Sequence, residues 1–226
     1  MKLFTFKLKN LSILLKSKLL KKKINKKNIK NKNDFINYIN QKFFSEKWFL
    51  NNFNIFHHFL PSDSGKEFSY LEIGSFEGLS ALNILYHYKN AKVTAIDLWN
   101  DCNINSEPLK VDFKETEKRF DKNLENYSFV KIKKDSVIAL REILRTNLSF
   151  DIIYIDGSHN GEDILSDGIE SYKLLSLGGL IIFDDISNYN KNITIQAYEG
   201  FQKFCEIHKN KIKIQYLGNI AIVKKV

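Results

Sequence analysis

Residues 70–80 read Tyr70-Leu71-Glu72-Ile73-Gly74-Ser75-Phe76-Glu77-Gly78-Leu79-Ser80. An apolar run ends in an acid, two glycines follow four positions apart, and an amphipathic segment begins at once. This is the order of a parallel strand turning sharply into a helix whose N-terminus faces a ligand. Gly74 accommodates the turn, and Gly78 accommodates close approach of the helix to the strand or to a ligand. Phe76 stands where the dinucleotide fingerprint G-x-G-x-x-G requires glycine, which disfavours a nicotinamide site. Glu72 sets a negative charge at the carboxyl edge of the strand. A pyrophosphate is repelled there and a ligand bearing an ammonium group is attracted.

Working outward, the same alternation repeats. Strands are expected at 68–73, 92–98, 129–133, 150–155 and 180–183, with helices at 77–90, 109–125, 136–147, 161–176 and 192–209. Two short runs, 211–217 and 220–225, flank Leu217-Gly218-Asn219 and read as a terminal hairpin. Nearly continuous apolar strands separated by helices mean an α/β fold, with a parallel sheet covered on both faces and ligands at the carboxyl ends of its strands. Residues 34–66 form an aromatic-rich helical cap closed by Pro61, and the main domain runs over 67–226.

Charge is unevenly placed. Residues 1–33 hold 12 lysines and no acid, which leaves 23 basic against 26 acidic residues in the remainder. The net +9 therefore belongs to a tail, and the mildly acidic body lacks the basic face of a nucleic-acid-binding domain. Phe4, Leu8, Leu11, Leu15 and Leu19 recur at helical spacing among the lysines. That pattern suits either a frayed, solvated tail or an amphipathic helix on an anionic membrane surface, the former being the simpler expectation. Cys102 and Cys205 form neither a metal spacing nor a disulfide framework, as expected in a reducing cytoplasm.

Each expected strand hands an acid to the same rim: Glu72, Asp97, Asp135 with Ser136, Asp156 in Asp156-Gly157-Ser158-His159, and Asp184-Asp185. One such acid commonly caps the following helix. Five in register would repel one another unless something positive sat among them.

On these motifs the chain resembles the class I S-adenosylmethionine (SAM)-dependent methyltransferases over roughly residues 40–226. It is most similar to small domains with an EIGSFEG turn and an IDGSH…GG-I-I-FDD pattern, and beyond them to metal-dependent O-methyltransferases of the catechol and antibiotic-sugar types. The resemblance implies a Rossmann-like seven-stranded sheet, mostly parallel, with an antiparallel C-terminal strand. It assigns Glu72, Gly74, Ser75, Phe76, Gly78 and Ser80 to the methionine part of SAM, and Asp97 with Leu98 to its ribose. Asp135 and Ser136 fall at the adenine, and Asp156 beside the cofactor. Asp156, Asp184 and Asp185 fall at the ligand positions of a magnesium-type divalent cation. His159 takes the place of the catalytic lysine of the catechol type, with Asp156 beside it.

The acceptor expected is a hydroxyl of a small molecule or sugar, since no Asn/Asp-Pro-Pro-aromatic motif for base amines follows the fourth strand. Two other readings remain open: an RNA methyltransferase using the basic tail, and a non-catalytic binding module of the same fold. The 34–60 segment could supply a homodimer contact. His57 and His58 read as packing or surface residues, and Trp99 either covers the adenine or packs on the core.

Overall fold

The segment Phe68–Ile73 is strand β1, and it lies near the middle of a seven-stranded sheet. A computed structural model describes residues 10–24, 29–100, 112–187 and 194–226. After β1 come β2 (Ala91–Asp97), β3 (Val130–Lys133), β4 (Phe150–Ile155), β5 (Leu175–Phe183), β6 (Ile212–Leu217) and β7 (Ala221–Lys225). Their spatial order is β3-β2-β1-β4-β5-β7-β6. Strands β1 to β5 pair in parallel, while β7 is antiparallel to both β5 and β6, so β7 alone runs against the rest. The chain reverses its direction of travel between β1 and β4. A parallel sheet opens a crevice at such a switch, beyond the carboxyl ends of the strands.

The described helices are α1 (Leu11–Ile24), α2 (Ile29–Ile39), α3 (Phe53–Phe59), α4 (Leu79–His87), α5 (Phe113–Leu124), α6 (Ser136–Ile143), α7 (Gly161–Leu174) and α8 (Ala197–Ile207). Successive residues of β1 point to opposite faces. Phe68 and Tyr70 join Phe35, Phe53, Phe56, Leu82 and Phe120 in one core, while Leu71 and Ile73 join Leu140, Ile164, Phe201 and Phe204 in the other. Each large side chain so withdrawn from water contributes about 1.5–3 kcal/mol.

Several boundaries differ from the sequence expectation. Strand β5 starts at Leu175, where Leu175 already pairs with Phe150, because the Gly178-Gly179 pair permits a register shift that continues the ladder. Helix α5 begins at Phe113 behind its cap Asp112, whose carboxylate accepts from Lys114 N and Glu115 N. Of the helix expected from 109, residues 109–111 lie outside the described residues. Helix α2 crosses the boundary placed between tail and cap.

The tail departs most from the simpler expectation. Over residues 11–24 it is a helix seated against β6, where the Leu217 N–H donates to the buried Ser17 Oγ at 2.9 Å. Ile24 is buried, and Ile13, Leu14 and Leu20 pack against the two cores. The row legible in the sequence, Leu11, Leu15 and Leu19, is the one that faces water. Among the described residues no helix is long and apolar enough to cross a membrane.

The cap is latched to the β1 turn by polar groups. Glu77, almost fully buried, accepts from Ser45 N (2.6 Å), Ser45 Oγ (2.7 Å) and Arg119 Nη1 (2.7 Å). Asn123 of α5 accepts from Phe43 N (2.7 Å) and donates to Glu77 O (3.0 Å).

Two predictions follow from this packing. Gly74 and Gly78 both have φ +82, so alanine is strained at either. A Cβ on Gly74 would sit 2.2 Å from the Asp156 carbonyl oxygen, which is backbone, whereas one on Gly78 would meet only side-chain ends, Leu124 Cδ1 at 2.5 Å and Phe120 Cδ2 at 2.9 Å. Gly74→Ala should therefore cost more than about 3 kcal/mol in urea unfolding and Gly78→Ala about 2 kcal/mol; equal costs would contradict this. Asp167 of α7 is buried, with Oδ1 unpartnered, and burial pushes its carboxyl up to about 7 against a hydrogen bond from Ser136. A raised folded-state value means that the stability contribution is whole below the ordinary 3.8 and is lost as pH rises through about 7. Asp167→Asn should accordingly raise the unfolding temperature by several degrees at pH 8 and by much less at pH 4. A pH-independent gap would refute it.

Candidate active site

The parallel registers bring the strand-end acids to one rim. Ile73 is level with Ile96 on β2 and with Ile155 on β4, and Ile155 is level with Phe183 on β5. Asp97, Asp156 and Asp184 thus stand at neighbouring carboxyl ends, with Glu72 inside the end of β1. Gly74 closes the gap, its N–H donating to Ile96 O and the Asp156 N–H donating to Ile73 O, both at 2.9 Å.

Glu72 is fully buried. Tyr70 Oη donates to its Oε2 at 2.9 Å, and its Oε1 has no hydrogen-bond partner. Burial pushes the carboxyl up to about 7, against the pull of the Ser80 hydroxyl, the Tyr70 bond and the Ser75 hydroxyl; the two serines lie near the carboxyl but stop short of hydrogen-bond geometry to Oε1. A buried carboxylate oxygen left bare is costly, and a cationic donor placed there would both satisfy it and restore its charge. Ser75 and Ser80 are buried alongside.

Asp97 builds the other wall. Its Oδ2 accepts from Phe76 N and its Oδ1 from Trp99 N, both at 2.8 Å, while burial raises its carboxyl above the ordinary value against these bonds. The Leu98 and Ser75 N–H groups pull on the same carboxylate, an acceptor-only side chain held at the rim by backbone donors. Phe76 and Trp99 hold left-handed backbone, φ 47 and 40, to present those N–H groups. Trp99 itself is packed away, its Nε1 donating to Phe76 O at 2.8 Å and its ring lying against Phe120. It covers the core, not a ligand. Leu98 beside it is half-buried.

Asp135 caps α6, accepting from Ile138 N at 3.1 Å, and is exposed. Ser136 begins that helix and reaches the buried Asp167. Gly78 packs tightly, since the space a Cβ would take belongs to α5.

The acids after β4 and β5 meet at a tyrosine. Tyr154 Oη lies 3.0 Å from Asp156 Oδ2 and also donates to Asp184 Oδ2. Asn52 of the cap donates to Asp184 Oδ1 at 2.9 Å, as does the Asp185 N–H at 2.8 Å. A phenol has one proton, so the second carboxylate contact requires a proton held on a carboxyl. Asp156 is accordingly raised well above the ordinary range by burial and by the charges of Asp184, Asp185 and Glu72, and Asp184 is raised by burial and Asp185. Asp185, at φ 48, turns away to accept from Asn219 Nδ2 at 2.6 Å, and its Oδ2 lies 3.7 Å from His159 Nε2.

The hard-oxygen chemistry of these three aspartates suits a divalent cation. Their geometry does not form the expected ligand set, for among the described residues no three His, Cys, Asp or Glu side chains converge as a metal site. Tyr154 and Asn52 hold Asp184, and Asn219 holds Asp185.

Tyr70, Tyr154, Asn52 and Asn219 escaped the sequence reading. The two tyrosines carry a signal in retrospect, each standing two residues before a rim acid, where a strand places both side chains on one face. The asparagines carry none, because 132 residues separate Asn52 from Asp184. His57 is confirmed as a packing residue, ringed by Phe53 and His87, with burial lowering its imidazole to about 4. Trp48, half-exposed, stacks on Phe76 at 5.5 Å beside the turn. Residues 101–111, after β2, and 188–193, after β5, lie outside the described residues.

Known proteins resemble this chain in sequence or in fold. A protein of Acanthamoeba polyphaga mimivirus, uncharacterized protein R132, is 25% identical over 160 residues, covering 67% of this chain and 68% of its own. The O-methyltransferase of Bacillus cereus, solved with SAH, superposes with a TM-score of 0.50 at 17% identity, covering 70% of this chain and 74% of its own. MycE methyltransferase from the mycinamycin biosynthetic pathway, solved with Mg, SAH and mycinamycin VI, gives 0.56 at 20% identity over 82% of this chain, which spans about half (51%) of that protein. At such identities the likeness establishes the fold. The methyltransferase domain family, for its part, matches residues 71–186, from β1 through the acids after β5. The chain belongs to that methyltransferase domain family and has the class I SAM-dependent methyltransferase fold.

Proposed function

We propose that this methyltransferase uses SAM to methylate a hydroxyl of a small-molecule or sugar acceptor, with His159 as the base. The observation that carries the reading is the buried, unpartnered Glu72 Oε1 beneath the Gly74 turn, next to the acceptor-only carboxylate of Asp97 at the end of β2. A ligand joining an ammonium group to a ribose fits both. Glu72, with Ser75 and Ser80, would hold the methionine end. Asp97 would accept from both ribose hydroxyls, Leu98 would flank the ring, and Ser136 with Asp135 would meet the adenine edge.

Bound SAM supplies a methyl group on a positively charged sulfur. The remaining work falls to this chain. His159 Nε2 would take the acceptor's hydroxyl proton as the new oxygen–carbon bond forms and the sulfur–carbon bond breaks. A ring nitrogen with a lone pair is a competent general base for such a step. Asp185 Oδ2, 3.7 Å away, would steady the resulting imidazolium. Asn52 and Trp48 bring the cap to the mouth of the crevice, where it can help to exclude water. Oxygen is preferred over nitrogen because Asp156-Gly157-Ser158-His159 replaces the proline motif of base-amine methylation.

One observation keeps a divalent cation as a second reading: Asp156 and Asp184 are both raised by burial and by neighbouring carboxylate charge, that of Asp185 included, and among the described residues His159 is the basic side chain paired to this group. Under that reading Asp156, Asp184 and Asp185 would hold the ion after Asp184 leaves Tyr154.

Calorimetry with SAM and a labelled-SAM acceptor screen test the proposal. Asp97→Ala should lose SAM affinity by a hundredfold or more. His159→Ala should bind SAM as the parent does and lose about 10²–10⁴ in turnover. Unaltered turnover in His159→Ala would remove the base assignment, and a folded parent that binds no SAM would remove the whole reading. EDTA separates the two versions, since full turnover under chelation leaves no place for the cation.

A further inference from the structure

Helix α1 has two apolar faces, and the fold uses one. Ser17 and Ile24 are buried against the body, with Ile13, Leu14 and Leu20 partly so. On the opposite side Leu11, Leu15 and Leu19 form a row with exposures of 50%, 53% and 69%. Lys18 and Lys22 interleave with that row, Lys16, Lys21 and Lys23 flank it, and all five lysines are exposed. The helix contains no acid. Methyl transfer gives this face no task, since α1 packs at β6, the sheet edge remote from the β1–β4 switch.

We infer that the outer face of α1 docks the enzyme on an anionic lipid surface. A leucine row rimmed by lysines is the combination that lies in a bilayer interface, with methyl groups below the headgroups and ammonium groups among the phosphates. Fourteen residues are too few to span a bilayer, so the helix would lie flat. RNA would use the lysines and leave the leucines wet, and single-stranded RNA is usually gripped with aromatic or arginine stacking, which α1 lacks. A two-fold pairing of α1 with a second copy would bury the leucines but set ten lysines against one another without an acid. Lipid satisfies both halves of the face.

Sedimentation of the full chain with vesicles tests this, using phosphatidylcholine alone and with about 30% phosphatidylserine, near 0.1 M salt. Binding should be at least tenfold stronger to the anionic vesicles and should weaken at 0.5 M salt. Lys18→Gln with Lys22→Gln should lower it by about fivefold per lysine. Leu15→Gln with Leu19→Gln should lower it tenfold or more, while the unfolding midpoint and SAM affinity stay at parent values, because neither leucine is packed. No partitioning onto anionic vesicles would overturn the inference. So would full retention of binding by the leucine pair, or light scattering showing that the leucines instead hold a dimer. Salt-sensitive binding to an RNA oligonucleotide, lost with the lysines and kept without the leucines, would overturn it if vesicle binding were absent.

Discussion

The site depends on one close approach. The Gly74 turn after β1 lies against the Asp156 carbonyl so tightly that no side-chain carbon could come between them. Because two adjacent parallel strands end there, the contact sets Glu72 and Asp97 on one side of the switch and Asp156 and Asp184 on the other, within reach of each other's fields. Everything chemical at the rim follows from that compression. Carboxylates are pressed together and partly withdrawn from water, so they hold protons above their ordinary range or wait for a cation. The bare Glu72 oxygen is the sharpest expression of this tension.

Around this centre the structure spends polar groups where a sheet alone would leave none. Glu77 and Asn123 fasten the cap to the turn, and Asn52 carries the cap to Asp184. The cap is thereby a wall of the site, tied to the same loop that would hold a cofactor. Tyr154 mediates between two acids that would otherwise face each other directly. That mediation explains why three aspartates at the positions expected for a metal do not stand as a ligand set.

The tail shows how one sequence pattern can hide another. Phe4, Leu8, Leu11, Leu15 and Leu19 form a visible row, while Ile13, Leu14, Ser17, Leu20 and Ile24 form a second, interrupted by a serine. The second docks, because Ser17 accepts from the Leu217 N–H on edge strand β6 and buries it, a bond that no apolar residue could make. Edge strands leave such donors open, and covering one is a reason to fold a basic segment back on the body.

Local chemistry was sufficient for the α/β class, the parallel order of strands, the turn at Gly74 and the membership of the rim acids, since strand periodicity and glycine spacing act over a few residues. Phe76, in place of the third-position glycine of the dinucleotide fingerprint, was likewise legible from the sequence and pointed away from a nicotinamide site. What only the tertiary structure decided was which groups those acids touch: Tyr154 and Asn52 at Asp184, Asn219 at Asp185, Asp167 at Ser136, and α5 against Gly78. These contacts join residues far apart in the chain and depend on packing angles and rotamers, which no local pattern encodes.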